Sequence, residues 1–318
     1  MDVLQQEARP FLHTLITSKI MGHTPLRLSA ALFLTVAPNL AAAHGILGDR
    51  FFPATITTDD PFAADELALP TVTFFRHAED GEQVFEREYE FEYSKTIFPG
   101  FALSLDGGYV DASPVGEPAE RGFANLELSP IYELIRDPES EFITSAAFRW
   151  EVGGTGSKAV AERASSYTPT LQFGKGFGNL PDSAGSLRPF AVTGSIGYAI
   201  PGDGSEPHTI EWGGAVEYSL LYLQNNVRDQ GFGPFVSRLT PVVEFSFSSP
   251  VDNDGGSTTG TINPGILWSG QSVQLGVEAI IPINRATGHN IGVIAQLHFY
   301  IDDIFPHSLG TPIFGGAR

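Results

Sequence analysis

The stretch VFEREYEFEY (residues 84–93) decides the fold class. Its alternate positions carry a mainly aromatic set on one side and a mainly acidic set on the other: Phe85, Arg87, Tyr89, Phe91 and Tyr93 against Val84, Glu86, Glu88, Glu90 and Glu92. Successive side chains of a strand point to opposite faces, whereas a helix repeats every 3.6 residues. The stretch is therefore predicted to be a β-strand with one aromatic and one charged face.

The same period of two recurs along the chain after about residue 68. Turn clusters such as HAEDGE, RDPES, PGDGSEP and DNDGG separate the alternating segments, which indicates a succession of antiparallel hairpins. Each segment is long for a strand of a globular protein. We predict about twelve strands, near residues 69–77, 84–95, 99–111, 121–135, 140–153, 165–174, 187–200, 207–223, 234–249, 258–269, 272–283 and 288–302.

One hairpin allows a prediction of register. If Gly270 and Gln271 form a two-residue turn, Trp268 lies opposite Val273 and Ile266 opposite Leu275. Prolines inside four segments conflict with regular pairing, because proline donates no hydrogen bond to a neighbouring strand. They indicate either bulges or shorter strands: Pro130, Pro169, Pro241 and Pro264.

Two architectures contain many long antiparallel strands, a soluble sandwich and a membrane barrel. In a sandwich the apolar face is a packed core, and aromatic residues need not gather at strand ends. Here aromatic residues lie near segment ends on the apolar face, as in the aromatic girdle of a membrane barrel: Trp150, Tyr198, Tyr222, Phe247, Trp268 and Tyr300. The predicted fold class is all-β, an antiparallel up-and-down transmembrane β-barrel of about 12 strands.

The N-terminal region has the layout of an export signal. Residues 21–43 contain Arg27, an apolar run too short to span a bilayer as a helix, and three alanines, which predicts a cleavable signal peptide. Residues 1–20 do not fit that layout, so they are interpreted as a mis-assigned start. The remaining chain is divided into a periplasmic pre-barrel segment (44–67), the barrel (68–303) and a C-terminal tail (304–318). Because the pre-barrel segment carries apolar residues, we expect it to cap or enter the barrel mouth, with a loose tail as the alternative.

Composition excludes several functions. The chain has 18 Lys and Arg against 37 Asp and Glu, a net charge of -19, so nucleic acid is not an expected partner. It contains no cysteine, which excludes disulfides, thiolate metal sites and cysteine nucleophiles. No motif indicates a cofactor or a bound metal.

The inner face of the barrel is the candidate site. Parity places mostly acidic side chains there, with a few basic ones opposing them: Glu127, Glu151, Glu211, Glu217, Glu244, Glu278, Arg149, Arg188, Arg238 and His298. Twelve strands enclose more space than a filled barrel of eight and less than an open channel of sixteen. The sequence therefore predicts a narrow or occluded acidic lumen, and any ion current through it should favour cations.

The chain resembles a family of Gram-negative outer-membrane barrels, the transporters of the phenol meta-pathway type. The resemblance rests on the alanines that end the signal peptide, the pre-barrel segment GDRFFPATITTDDPFAADELALPTV (48–72), the hairpin succession and the closing strand IGVIAQLHFYIDDIFP (291–306). It implies a bacterial outer-membrane location, contacts with lipid and with the barrel assembly machinery, and passage of small solutes, including apolar or aromatic ones.

Two alternatives remain. A structural or adhesive barrel would have an occluded lumen and would act through its outer loops. A barrel hydrolase needs a histidine that activates a serine, and none of the eight histidines has a serine two positions later in the sequence. We therefore expect a channel and not an enzyme.

Overall fold

A computed structural model describes residues 45–79, 82–204, 206–252 and 256–315. The segments assigned to the start and the signal peptide, 1–20 and 21–43, lie outside them. The strands of the described chain are β1 Ile46–Leu47, β2 Arg50–Phe51, β3 Glu66–Glu79, β4 Glu82–Phe98, β5 Phe101–Pro114, β6 Glu120–Phe123, β7 Leu126–Asp137, β8 Phe142–Val152, β9 Ser166–Gly176, β10 Phe190–Pro201, β11 Thr209–Tyr218, β12 Leu239–Pro250, β13 Thr259–Ser269, β14 Val273–Pro282 and β15 Gly292–Tyr300.

Strands β3 to β15 close into a barrel. Each pairs antiparallel with its neighbours in chain order, and β15 returns to pair with β3. Short β6 and longer β7 share one position, because both pair with β5, at its two halves. The sheet thus has twelve positions around the barrel, which confirms the predicted fold class and strand number.

The two faces of the wall are inverted relative to a soluble protein. On β9, Leu171 is 58% exposed on the outside, while the next residue, Gln172, is 5% exposed inside. The same alternation sets Ile196 outside and Thr193 inside on β10. An apolar outer surface and a polar interior suit a barrel surrounded by hydrocarbon, and they exclude the sandwich, whose apolar face would be internal.

The four prolines produce neither bulges nor shortened strands. Around Pro264, pairing of β13 with β14 stops after Ile262↔Ile281 and resumes at Gly265↔Glu278 with the same register. Pro130 and Pro169 cause similar gaps on one side of their strands, and Pro241 lies beyond the last pair of β12 with β11. The register is the same on both sides of Pro130, Pro169 and Pro264, so the wall tolerates each missing donor locally.

The predicted register of the β13–β14 hairpin is wrong by two residues. Trp268 lies opposite Leu275, and Ser269 lies opposite Gln274. Gly270 closes the hairpin by donating its N–H to the Val273 carbonyl over 2.7 Å, so the turn consists of Gln271 and Ser272. Because the error is an even number, every residue still lies on the predicted face.

Both ends of the barrel chain, Glu66 and Tyr300, lie at one end of the barrel, which we call the terminal end; the other is the hairpin end. The predicted segment 207–223 is too long: strand β11 stops at Tyr218, and Ser219 caps a short helix by accepting a hydrogen bond from the Tyr222 N–H. The helical turns near this end are Asp182–Leu187, Leu220–Tyr222 (α1), Leu223–Val227, Val236–Arg238 and Ile301–Ile304 (α2). None of the helices among the described residues is long and apolar enough to cross a membrane.

The residues after β15 pack at the terminal end. Ile313 and Phe314 donate their N–H groups to the carbonyls of Thr96 and Ile97 at 3.2 and 2.8 Å. Lys95 extends its ammonium to the Leu309 and Thr311 carbonyls, 2.9 Å each. The described part of the C-terminal tail therefore continues the wall at the end of β4.

The lumen as the candidate functional site

Residues 45–65, which we call the luminal loop, lie inside the barrel. Their contacts reach opposite walls: Gln274 on β14 donates to the Ala54 carbonyl at 2.6 Å, and Ser145 on β8 donates to the Pro61 carbonyl at 2.5 Å. The loop begins at the terminal end, turns in the middle of the lumen and returns to start β3. Asp65 lies where the loop joins β3, and its carboxylate accepts a hydrogen bond from the Lys95 ammonium at 2.5 Å.

Apolar side chains of the loop meet the few apolar side chains that the wall points inward. Phe52 and Phe62 pack with their ring centroids 5.4 Å apart, in a buried cluster with Ile143 of β8 and Ala191 of β10. Ile56 covers a second cluster, formed by Ala215, Val242 and Leu267 on β11 to β13. Removing these surfaces from water stabilises the loop inside the lumen.

A buried ion pair holds the base of the loop. The Arg50 Nε donates to Glu141 at 2.7 Å, and the guanidinium also donates to the carbonyls of Pro189, at 3.1 Å, and Arg188. The Tyr222 ring lies below it, 4.2 Å from the Arg50 Cζ to the ring centroid. Burial, and after it the negative charge of Glu141, raises the pKa of the Tyr222 phenol, so this hydroxyl stays neutral beside the pair.

A tight β1–β2 hairpin leads into this base. Its two-residue turn contains Gly48 and Asp49, and Gly48 has a φ of +64°. A Cβ at Gly48 would lie 2.5 Å from the Pro138 carbonyl oxygen. Only glycine fits a turn this close to the β7–β8 connection.

Glu244 on β12 fixes the inner part of the loop. Its carboxylate accepts hydrogen bonds from the Ile56 and Thr57 N–H groups, at 2.7 and 2.8 Å, and from the Thr57 hydroxyl at 2.8 Å. Asn263 on β13 donates to the same hydroxyl at 3.1 Å. A single carboxylate thus satisfies two backbone donors that the loop brings into the lumen.

Arg149 on β8 crosses the lumen beside the loop tip. Its guanidinium lies 3.9 Å from Asp59 of the loop and donates to Glu211 on β11. It therefore connects two walls and the loop at one level. We call this contact the neck.

Three cavities follow one another along the lumen. A vestibule of about 550 Å³ at the hairpin end shares Glu211 and Ser246 with a small cavity of about 60 Å³ at the neck. That cavity shares Asp59 and Arg149 with a third one of about 200 Å³. The luminal loop forms one side of the third cavity, which we call the acid chamber, and its carboxylates are Asp59, Asp60, Glu66, Glu92, Asp106 and Glu127.

Acidic residues of the wall stand in a row across neighbouring strands. Glu92 on β4 pairs directly with Asp106 on β5, Asp106 with Glu127 on β7, and Glu127 with Glu151 on β8. Like charges at directly opposed positions of an antiparallel sheet destabilise it. Glu92, Asp106 and Glu127 line the acid chamber. Glu151 lies outside it and accepts a hydrogen bond from the Asn125 amide at 2.8 Å.

The predicted lumen residues fall into three groups. Glu127, Glu211 and Arg149 line the cavities, and Glu151 adjoins them. Glu217, Glu244 and Glu278 are 2%, 0% and 1% exposed, and Glu244 is covered by the loop. His298 on β15 is buried and lies 3.1 Å from Glu66.

Arg188 and Arg238 lie outside the strands, contrary to the prediction. Arg188 follows a helical turn and donates to the Gly178 carbonyl at 2.8 Å, and Arg238 ends another turn and donates to Ser269 at 3.2 Å. The strands β10 and β12 begin at Phe190 and Leu239, so the predicted segments 187–200 and 234–249 extend too far toward the terminal end. Tyr222 and Tyr300 are likewise not girdle residues: both are buried, and the Tyr300 hydroxyl donates to Gln274 at 2.8 Å.

The sequence prediction included Glu127, Arg149 and His298 but missed most of the carboxyl groups that line the acid chamber. Glu92 belongs to the acidic face of the stretch that decided the fold class, so the alternation already placed it opposite the aromatic side chains. Asp106 follows from its pairing with Glu92, which requires the register. Asp59 and Asp60 come from the loop, and no periodicity reveals where a loop lies.

The fold is that of the outer-membrane β-barrels. A crystal structure of an outer-membrane channel from Pseudomonas putida F1 is similar, with a TM-score of 0.51 and 11% sequence identity over 74% of this chain and 95% of that one. The KdgM porin resembles this chain more distantly, with a TM-score of 0.42 and 15% sequence identity over 72% of this chain and 98% of that one. For the NanC porin the TM-score is 0.43 and the identity 9%, over 73% of this chain and 98% of that one. No described protein family and no curated protein matches the chain by sequence, so the phenol meta-pathway resemblance is not confirmed.

Proposed function

We propose that the protein is an outer-membrane channel for small solutes, closed in this structure by its luminal loop. The observation that carries the proposal is the series of cavities from the hairpin end to the acid chamber, which ends where the loop fills the lumen. The apolar outer wall would face lipid, with the terminal end on the periplasmic side of a Gram-negative outer membrane. The barrel assembly machinery would insert it there.

The lining favours cationic and polar solutes over the apolar or aromatic ones that the family resemblance implied. The acid chamber presents six carboxyl groups, against which its lining holds one guanidinium, that of Arg149, and the imidazole of His298. A narrow passage with low-dielectric walls concentrates ions of the opposite charge. We therefore expect cations to enter this path more readily than anions.

Reversible locking of the loop tests the proposal. The chain has no cysteine, so Thr57→Cys and Asn263→Cys would introduce the only two thiols, at side chains that are 3.1 Å apart. The two thiols would be joined by a short reducible cross-linker. Locked protein in a planar bilayer should show little current, and cleavage of the linker should raise the conductance of the same molecules several-fold. Each single-cysteine variant is the matched control.

A structural barrel with a permanently filled lumen is the second candidate. The hydrogen bonds that the loop makes with several strands of the wall favour it. This candidate predicts no conductance in either state of the cross-linked variant. Equal and substantial conductance in both states would instead contradict the loop as the closing element, because the current would bypass it.

A further inference from the structure

We infer that the acid chamber is a binding site for a small organic dication, the simplest being a linear diamine. The inference rests on the proposed function in that it names the solute class of the same lumen. The site would retain the dication between the luminal loop and strands β4, β5 and β7. Binding itself requires no open path through the barrel.

The charges of the chamber are only partly balanced within the protein. Asp59 lies 3.9 Å from Arg149, and Glu66 lies 3.1 Å from His298. The other four carboxylates have no basic group within ion-pair distance among the described residues: Asp60, Glu92, Asp106 and Glu127. Of these, Asp106 and Glu127 accept only serine hydroxyls, from Ser104 at 3.2 Å and Ser129 at 3.1 Å.

A second observation is independent of the acids. Gln172 on β9 lines the same chamber and is 5% exposed, yet its Oε1 has no hydrogen-bond partner in the described part of the protein. A buried amide oxygen without a donor costs free energy. It is a vacant acceptor on β9, two strands from Glu127 on β7, so an occupant with donors on more than one side would satisfy both this oxygen and the carboxylates.

The spacing of the acceptors indicates an occupant with separated charges. Neighbouring strands are about 4.8 Å apart, so Glu92, Asp106 and Glu127 extend over roughly 10 Å of wall. The described residues contain no group of three carboxylates or histidines close enough to hold a metal ion. Two ammonium groups joined by a short aliphatic chain can each reach a carboxylate of the row, and the chamber of about 200 Å³ accommodates such a chain.

Calorimetry on the detergent-solubilised full chain tests the inference, with 1,4-diaminobutane as the probe. The variant Asp106→Asn/Glu127→Gln should weaken binding at least about tenfold, the effect of losing about 1.4 kcal/mol of charged contact. Glu151→Gln is the control for loss of one carboxylate from the same row outside the chamber, and it should change the dissociation constant less than about twofold.

The comparison probes are 1-aminobutane and Mg²⁺. We expect both to bind at least about tenfold more weakly than the diamine, because neither can place separated charges on two carboxylates. Equal binding of all three probes, equal effects of the two kinds of variant, or no binding of the diamine to the unmodified chain would each overturn the inference. Gel mobility before and after boiling verifies that every variant is folded.

The outcomes of the binding test and of the conductance test are independent of each other. Diamine binding by a protein that never conducts would leave the dication site in place and reject the channel. Conductance without diamine binding would reject the site and leave the channel.

Discussion

Arg50 is a basic residue that is only 1% exposed. Its partner Glu141 is equally enclosed, and the pair is at the base of the luminal loop. Arg50→Ala leaves the Glu141 carboxylate buried and unpaired, which should lower the free energy of unfolding by about 3–5 kcal/mol. The measurement is the midpoint temperature at which detergent-solubilised protein loses its folded gel mobility.

A double-mutant cycle separates the pair from its surroundings. Arg50→Met/Glu141→Leu removes both charges together, so its cost should be smaller than the sum of the two single costs. Arg50→Lys keeps the charge but loses the planar guanidinium that donates to Glu141 and Pro189 together. Its stability should therefore lie between that of the unmodified protein and that of Arg50→Ala. Strict additivity in the cycle would show that the ion pair does not hold the loop.

At the scale of elements, the acidic faces of different strands have different roles. Glu92, Asp106 and Glu127 on β4, β5 and β7 line the acid chamber, whereas Glu217, Glu244 and Glu278 on β11, β12 and β14 are covered. We predict that Glu92→Gln/Asp106→Asn/Glu127→Gln shifts the zero-current potential under a salt gradient strongly toward non-selectivity. The triple variant Glu217→Gln/Glu244→Gln/Glu278→Gln is the matched comparison, with the same change in formal charge.

The covered triple should act mainly through the loop, because Glu244 accepts its backbone N–H groups. It should raise conductance more than it changes selectivity. Both effects on selectivity should fade at molar salt, where the screening length is about 3 Å. A larger loss of cation preference in the covered triple would place the ion path along β11 to β14.

The strands also show how much of the fold could be predicted from the sequence. Alternation predicted the strands and their faces, because the side-chain period of two survives an error of two residues in register, as in the β13–β14 hairpin. It did not predict where strands stop at the terminal end, since Arg188 and Arg238 continue the pattern within helical turns. It predicted that residues 44–67 would cap or enter the barrel mouth, but not how deep the loop lies, because its partners Glu244 and Gln274 are brought to it only by closure of the barrel.

At the scale of the whole molecule, closure of the sheet determines behaviour in detergent. Every strand from β3 to β15 except short β6 has two neighbours, so the sheet closes on itself and offers no long free edge at which unfolding could begin. We predict that unboiled protein migrates differently from boiled protein in a denaturing gel and that it fractionates with the outer membrane. Identical mobility, together with recovery in the soluble periplasmic fraction, would contradict a membrane barrel.

The position of the luminal loop also constrains the order of assembly. The loop precedes β3, so ribosomes synthesise it before any of the wall, yet Gln274, which binds Ala54, comes 220 residues later. Contacts between such distant parts of a chain form late, since a long segment must first be closed. Its phenylalanines must therefore remain without their partners until β8 to β10 are in place, and its tip until β12 to β14 are. A loop that is bound inside the lumen thus indicates that the wall is nearly complete. A truncated chain that lacks the last strands would leave this apolar segment exposed and able to bind chaperones.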